Sequence, residues 1–213
     1  MTDVERPGAG EWVPDDHAIA ALKAAAPSCR GCELWEPATQ VVFSAGSSDA
    51  ALVLVGEQPG DQEDRRGVPF VGPAGQLLAR AVDEAGIPRT AVYVTNAVKH
   101  FRFEERGKRR IHQTPTTAHV TACHPWLAAE LDEVRPRVVV ALGATAARSV
   151  LGRTVRIGAE RGRVIDGAPP ALVTTHPSAL LRMEDAADRD AAMLQLIADL
   201  RTAADAAGVE RSG

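Results

Sequence analysis

Residues 51–60 read ALVLVGEQPG, and this stretch decides the fold. A run of small and branched apolar residues is followed at once by a glycine, a carboxylate, an amide and a Pro-Gly turn. A short apolar run bounded by turn residues is typical of a strand that is buried on both faces. Such strands belong to parallel sheets covered by helices. The stretch therefore predicts a buried strand whose carboxyl end enters a polar loop.

The same pattern recurs along the chain. Further strands are predicted in AVYVTNAV (91–98), RPRVVVALG (135–143) and the first half of ALVTTHPSALL (171–181). Helices are predicted between and after them, in GPAGQLLARAVDEAG (72–86), TPTTAHVTACHPWLAAELDEV (114–134), ATAARSVLG (144–152) and residues 185–206. This alternation predicts an α/β fold with a mainly parallel central sheet flanked by helices on both faces. We expect one domain over residues 1–213, with residues 1–13 as a frayed arm.

The composition is that of an ordinary folded protein. Hydrophobic residues make up 45% and charged residues 24% of the 213 residues, which argues against bulk disorder. The net charge is −4, so nucleic-acid binding would need a local basic face. Residues 1–16 lack the pattern of a secretory signal, and no apolar run is long enough to cross a bilayer. We expect a cytoplasmic monomer that does not act at a membrane.

Ligand sites in such folds lie beyond the carboxyl ends of the strands. The loops there begin GEQPGDQED (56–64), NAVKH (96–100), LGAT (142–145) and THPS (175–178), and all except LGAT carry polar groups of a kind used in chemistry. Glu57 is placed for acid–base chemistry, and Phe70 offers a flat face to a nucleobase. Asn96 can read a base edge with its paired donor and acceptor. The plainer interpretations are turn residues, a core phenylalanine and, for His176, a surface histidine.

A second candidate site contains cysteine. Cys29 and Cys32 form a CRGC turn, which lets two sulfurs reach one metal ion or cluster. A redox dithiol is the alternative, but that motif usually opens a helix after a strand, whereas a helix precedes this turn. Cys123 is the only other thiol, so a fourth ligand must be a histidine or a carboxylate. Spacing leaves His100 and His119 both open, and it leaves zinc and iron–sulfur both open.

Residues 99–115 are predicted to form a polar, basic loop. Between residues 99 and 110 there are six basic and two acidic side chains, a net charge of +4. A solvated loop is the simple interpretation. Together with the polar loops above, contact with nucleic-acid phosphates through Lys108, Arg109 and Arg110 is favoured. Phosphate contact does not explain His112, which ends this stretch.

Taken together, these motifs resemble the uracil-DNA glycosylase superfamily, and most closely its iron–sulfur branch, family 4. The ordered series is CxxC, GExPGxxED…GxPFVGxAGxLL, VYxTNxVK, CxPxL, PxVVVALGxxA and THPSxLLR. It runs through roughly residues 29–182. The resemblance implies an enzyme of DNA repair that excises uracil from DNA.

Two departures from family 4 refine this resemblance. The position after NxVK is normally a cysteine ligand, and here it is His100. The resemblance therefore implies a [4Fe–4S] cluster on Cys29, Cys32, His100 and Cys123, with His119 left on a helix face. The insertion RGKRRIH (106–112) resembles the signature of the UdgX class. Members of that class become joined covalently to uracil-containing DNA through the histidine that ends this motif, which here is His112.

The resemblance also implies a role for each candidate in the cleft. Uracil is flipped out of the DNA, stacks on Phe70 and is read by Asn96. Backbone N–H groups near Gln58 and the ring of His176 stabilise the uracil carbonyl as the bond to the sugar breaks.

The last step would be covalent. His112 captures the deoxyribose C1′ before water does, and Glu57 orients His112 or takes its proton. The expected partner is uracil-containing DNA, single-stranded or also double-stranded, and free uracil is the expected product. One alternative is a conventional multiple-turnover hydrolase in which His112 only contacts phosphate. A second alternative is a non-catalytic, metal-stapled DNA-binding protein, and zinc remains the alternative to the cluster.

Overall fold

The structure, a computed structural model, describes residues 6–211. The strands are β1 (Ala45–Gly46), β2 (Leu52–Gly56), β3 (Val92–Asn96), β4 (Phe103–Arg106), β5 (Arg109–His112), β6 (Val138–Leu142), β7 (Val164–Ile165) and β8 (Ala171–Thr174). The helices are α1 (Ile19–Ala25), α2 (Asp61–Arg66), α3 (Pro73–Glu84), α4 (Thr117–Val134), α5 (Ala144–Leu151), α6 (Ile157–Glu160), α7 (Pro177–Leu181) and α8 (Ala186–Ala206). Over residues 6–211, no helix has both the length and the apolar character needed to span a membrane.

Six strands form one sheet in the order β1-β3-β2-β6-β8-β7. The four central strands β3, β2, β6 and β8 are parallel, and the two short edge strands are antiparallel to their neighbours. Every residue of β2 and β6 is buried, which is why these strands are continuous apolar runs in the sequence. The predicted mainly parallel α/β fold is confirmed.

Helices cover both faces of the sheet. Successive side chains of a strand point to opposite faces, so Leu52 and Leu54 pack into the core with α3 and α8. Val53 and Val55 pack into the other core with α4 and α5. Burial of each such side chain contributes about 1.5–3 kcal/mol. The carboxyl ends of the central strands are thereby held at one edge of the sheet.

Residues 99–115 differ from the predicted irregular loop. Strands β4 and β5 form an antiparallel hairpin in which Phe103 pairs with His112 and Arg106 pairs with Arg109. Gly107, at φ 62°, lies in the two-residue turn, a position that favours glycine. The hairpin carries mostly exposed residues, so its alternating pattern is weak in the sequence. It sets His112 at the end of an ordered strand.

The predicted frayed arm over residues 1–13 is wrong for its second half. Gly8 and Ala9 donate backbone hydrogen bonds to Gly31 and Ala122, at 3.0 and 2.7 Å. Ala9 is buried because it packs closely on Gly31, where an added Cβ would lie 2.8 Å from the Ala9 nitrogen. Residues 1–5 of the predicted arm lie outside the described residues.

Candidate active site

A cleft of about 990 Å³ opens at the carboxyl edge of the sheet. The loops after β2, β6 and β8 contribute to its walls, as do the last residues of β3 and β5. Gly56 and Asn96 are register partners at the ends of β2 and β3, so the residues near these strand ends meet here. The cleft brings together the predicted residues Glu57, Gln58, Phe70, Asn96, His112 and His176.

Glu57 lies directly after β2 and divides its carboxylate oxygens between two partners. Its Oε2 accepts a hydrogen bond from Thr145 Oγ1 at 2.5 Å. Its Oε1 lies 3.4 Å from His112 Nε2. Glu57 therefore has one oxygen held by Thr145 and the other oriented toward an imidazole.

His112 lies with 49% of its side chain exposed at the cleft. Partial burial lowers the pKa of His112 below its ordinary value, and the positive charge of Arg182 adds to this effect while Glu57 opposes it. His112 is therefore mainly neutral at pH 7. A neutral imidazole can act as a nucleophile or a base, and an imidazolium can act as neither.

His176 faces the same cleft as a hydrogen-bond donor. It caps the start of α7, and its Nδ1 accepts a hydrogen bond from the backbone N–H of Ser178 at 3.1 Å. Because the accepting nitrogen carries no proton, the neutral ring carries its proton on Nε2. Burial, together with the charges of His112 and Arg182, lowers the pKa of His176 to about 4. The ring therefore offers an N–H group without a net charge.

Phe70 and Asn96 approach each other above Gly56. A Cβ added to Gly56 would lie 2.3 Å from Asn96 Oδ1 and 2.7 Å from Phe70 Cζ. Glycine is needed here because any side chain would displace both groups. Phe70 has a positive φ of 57°, and its carbonyl lies against Gly75 in the first turn of α3. An aromatic ring and an amide are thus held side by side at one wall of the cleft.

Gln58 joins the cleft to the hairpin. Its Oε1 accepts a hydrogen bond from the Arg102 backbone N–H at 3.0 Å. Its Nε2 donates to the carbonyls of Arg102 and Gln113, at 3.2 and 3.1 Å. These residues are the two ends of the hairpin stem. The sequence prediction concerned the backbone near Gln58. In the structure, the Gln58 side chain also anchors the base of the hairpin to the loop after β2.

Arg110 departs from the predicted phosphate contact. Its guanidinium lies 2.6 Å from both Asp61 Oδ1 and Asp64 Oδ2, and only 12% of its side chain is exposed. Asp64 is fully buried, so it needs this partner. Arg110 is therefore an anchor of the hairpin on α2. Lys108 and Arg109 are exposed at and beside the hairpin turn, as the predicted phosphate contact requires.

The three cysteines come together away from the cleft. Cys29, Cys32, Cys123 and His100 line one small cavity with Trp126. Cys29 accepts an N–H group from the Trp126 indole, and Cys123 accepts the backbone N–H of Lys99, both at 3.3 Å. Burial raises the pKa of Cys32, and it raises the pKa of Cys123 to about 12. Such thiols ionise readily only beside a compensating positive centre.

His119 takes no part in this cavity. Its Nε2 lies 2.8 Å from Glu33 Oε1, and its Nδ1 accepts the backbone N–H of Thr116 at 3.1 Å. Both ring nitrogens are therefore engaged, which supports His100 over His119 as the fourth donor. Within residues 6–211, no three histidine, cysteine or acidic side chains are arranged around a single metal-ion position.

Thr145 is a site residue that the sequence analysis missed. It comes from LGAT, the one loop at this sheet edge that was set aside for lacking acid–base groups. Its hydroxyl contacts Glu57, and it lines the cleft. Its position directly after a buried strand, at the same edge as the other loops, is the signal that could have identified it.

Comparisons with known proteins identify the family of the chain. Residues 43–201 match a family described as the uracil DNA glycosylase superfamily. A type-4 uracil-DNA glycosylase of Thermotoga maritima is 41% identical over 157 residues, which cover 72% of this chain and 78% of the relative. A type-4 enzyme of Pyrobaculum aerophilum is 32% identical over 164 residues, covering 73% of this chain and 80% of the relative. A type-5 uracil-DNA glycosylase of the same organism is 32% identical over 170 residues, 71% of each chain.

Proposed function

Because the chain belongs to the uracil-DNA glycosylase superfamily, we propose that it excises uracil from DNA and is then trapped on the deoxyribose through His112. The observation that carries this proposal is the placement of His112 Nε2 in the cleft, 3.4 Å from Glu57 Oε1. A histidine that only contacted phosphate would need no carboxylate beside it. The glycosylase activity itself agrees with the matched family and relatives.

Recognition begins with a flipped uracil in the cleft. Duplex uracil is paired and stacked, so it must leave the helix before its sugar bond can be reached. The Phe70 ring stacks on the base, and the Asn96 amide hydrogen-bonds its polar edge. Cytosine presents an amine where uracil presents a carbonyl, so a fixed amide discriminates between them.

Bond breakage is driven by charge stabilisation. As the bond between uracil N1 and C1′ breaks, its electron pair moves onto the base and the sugar becomes oxocarbenium-like. The Nε2–H of His176 donates to the carbonyl oxygen that gains charge. Backbone N–H groups near Gln58 do the same. A donor of this kind is worth roughly 3–4 kcal/mol in the transition state.

His112 then captures the sugar. In the neutral tautomer with its proton on Nδ1, the Nε2 lone pair forms the bond to C1′ as the bond from C1′ to uracil N1 breaks. The alkylated ring is then an imidazolium, whose positive charge Glu57 Oε1 stabilises, and the uracil anion takes a proton from water. Loss of the Nδ1 proton to water leaves a neutral, alkylated imidazole. A tethered nucleophile has a large effective concentration compared with water. Attack by His112 on C1′ is favoured because the lowered pKa of His112 keeps the ring neutral.

The cysteine cavity is the proposed cofactor site. A structural zinc ion, which binds four ligands at one point, is the alternative. Three cysteines and His100 line the cavity, and in a [4Fe–4S] cluster each ligand binds a different iron. We infer that Cys29, Cys32, Cys123 and His100 hold such a cluster. When bound, it would supply a rigid link between the N-terminal segment and the chain around His100, with no part in the bond chemistry.

The exposed cations Lys108 and Arg109 are proposed to contact the DNA backbone, with Arg110 holding the hairpin behind them. Single-stranded DNA is the simpler substrate, since its uracil is not paired, and double-stranded DNA is accepted where flipping is possible. We propose that the chain acts as a single-domain, cytoplasmic monomer in base-excision repair.

The test is intact mass measurement after incubation with a uracil-containing oligonucleotide. We expect a mass increase equal to the oligonucleotide less its uracil, and a band that survives heat and SDS. His112→Ser should lose the adduct and keep uracil release, because His176 and the uracil contacts remain. A wild-type protein that stays unmodified while abasic DNA accumulates over many turnovers would establish the hydrolytic alternative. No uracil release at all would establish the non-catalytic one.

The cofactor is tested separately. A protein with an intact cluster is brown and contains iron and acid-labile sulfide, whereas a zinc protein is colourless. His100→Cys should retain the colour because a thiolate replaces an imidazole at the same position. His119→Ala should also retain it, and loss of colour there would contradict the assignment of His100.

A further inference from the structure

The loop after β6 touches the reaction centre at two points. Thr145 Oγ1 donates to Glu57 Oε2 at 2.5 Å. Two residues earlier, Gly143 has φ 88°, and a Cβ placed on it would lie 3.1 Å from His176 Cβ. Gly143 also donates its backbone N–H to Thr174, the last residue of β8, at 2.9 Å. The loop is therefore fixed between the two sides of the cleft.

Among residues 6–211, the Thr145 hydroxyl has a hydrogen bond only to Glu57. It lies in the first turn of α5, whose start at Gly143 has no side-chain cap. Its hydrogen bond is directed to Glu57 and crosses 88 residues of sequence. A hydrogen bond to an ionised group contributes more than one between neutral groups. The contact therefore acts on the carboxylate, which is the group that faces His112.

We propose that Thr145 is a positioning residue that orients Glu57 for the capture step. This inference rests on the proposed function. By occupying Oε2, the hydroxyl fixes the carboxylate plane and leaves Oε1 as the oxygen facing His112 Nε2. In the capture step the Nε2 lone pair forms the bond to C1′ as the bond from C1′ to uracil N1 breaks, and Oε1 stabilises the positive charge that passes from the sugar to the imidazole ring. A carboxylate that turns freely offers that oxygen only part of the time, so water competes better for the sugar.

The experiment compares Thr145→Val, which removes the hydroxyl at nearly constant shape, with Thr145→Ser, which retains it. Thr202→Val is the matched control, because the Thr202 hydroxyl bonds only the carbonyl of Ala198 within the exposed face of α8. Each protein is mixed in excess with a uracil-containing oligonucleotide. Three quantities are followed: the released uracil, the covalent adduct and the free abasic DNA.

Thr145→Val is expected to lower the ratio of adduct to free abasic DNA by roughly 10-fold, the change that corresponds to losing one hydrogen bond to a charged group. The concentration of DNA giving half-maximal rate should not change. Thr145→Ser should restore the ratio to within about threefold of wild type, and Thr202→Val should match wild type. A general loss of packing would not alter this ratio and would not be rescued by serine.

The outcomes separate the two proposals. A wild-type protein that releases uracil without forming an adduct overturns the capture step itself. A wild-type protein that forms the adduct, together with a Thr145→Val variant of unchanged ratio, overturns the role of Thr145 alone. So does a serine variant as defective as the valine one. Thermal melts check folding, and Thr145→Ala replaces the valine variant if valine does not fold.

Discussion

Two clusters of charged side chains hold the segment that connects the cysteine cavity to the hairpin. In one, the Lys99 ammonium contacts Glu130, the Thr95 hydroxyl at 2.6 Å and the Asn96 carbonyl at 3.0 Å, and both charged side chains are almost fully buried. In the other, Arg110 bridges Asp61 and Asp64, with Arg110 12% and Asp61 40% exposed. Lys99 directly precedes His100 in the sequence, and Arg110 lies two residues before His112.

Because the two clusters differ in burial, we expect mutations in them to have different effects. A buried pair is screened little by salt, and removing one partner leaves an uncompensated charge in the core. The Arg110 cluster is exposed at Asp61, although Asp64 is buried, so water can replace part of its contacts and we expect a smaller loss of free energy. We therefore expect the Lys99 cluster to determine whether the domain stays folded. The Arg110 cluster should determine where His112 lies.

The largest expected effect is that of Lys99→Met. Glu130 would keep its bonds from Tyr93 and Thr95 but lose its counter-charge. The free energy of unfolding should fall by about 3–5 kcal/mol, measured by urea denaturation of the protein as purified. The decrease should be nearly the same at low and high salt.

The matched control for Lys99→Met is the double variant Lys99→Met with Glu130→Gln. Removing both charges should recover much of the stability, because a buried pair can often be replaced by neutral groups at small net cost. A single variant that is destabilised by less than about 1 kcal/mol would place this pair in the same class as a surface ion pair. The expected difference in stability between the Lys99 and Arg110 clusters would then be wrong.

Arg110→Met should affect stability less and chemistry more. Asp64 keeps its bond from the Thr39 backbone N–H at 3.0 Å, so the expected decrease in unfolding free energy is about 1–3 kcal/mol. The hairpin is then held mainly by Gln58, and His112 shifts relative to Glu57. A displacement of this kind should slow adduct formation by roughly 10- to 100-fold, followed by gel quantification at saturating DNA.

Arg89→Met is the control for Arg110→Met, because Arg89 pairs with Asp83 through a similar ion pair on an exposed surface. We expect wild-type adduct rates from it. If the two variants slow the reaction equally, Arg110 has no special role in placing His112.

The pH dependence of adduct formation tests the proposed role of His112, the last residue of the hairpin. Three charged or titratable groups face His112, namely Glu57, Arg182 and His176. Since burial and Arg182 lower the pKa of His112, the rate should begin to fall at a lower pH than the titration of an ordinary histidine would give. Below the lowered pKa the ring gains a proton and the rate falls. Arg182→Gln removes a depressing charge, so its acid limb should move to higher pH.

The sequence analysis predicted the central strands and part of the site, but it did not predict the hairpin or these charged clusters. The central strands were predicted correctly because strands that are buried on both faces consist of consecutive apolar residues. Glu57, Asn96 and His176 were brought together as expected because parallel strands end at one edge. The hairpin was missed because its strands are short and mostly exposed. The ion pairs of Arg110 were not predicted because its partners lie 49 and 46 residues away, and charge alone does not reveal whether an arginine faces solvent or a buried carboxylate.

The smallest effect on stability is expected from the double variant Lys108→Ser with Arg109→Ser. Both side chains are exposed, so the free energy of unfolding should change by less than about 0.5 kcal/mol. DNA affinity should fall at every sequence. The slope of the logarithm of affinity against the logarithm of salt concentration should decrease by about 1 for each phosphate that the variant no longer neutralises. Lys23→Ser removes an exposed charge on α1 and should leave that slope unchanged. An unaltered slope in the double variant would mean that the hairpin serves only to carry His112, and that the cations which bind DNA lie elsewhere on the cleft rim.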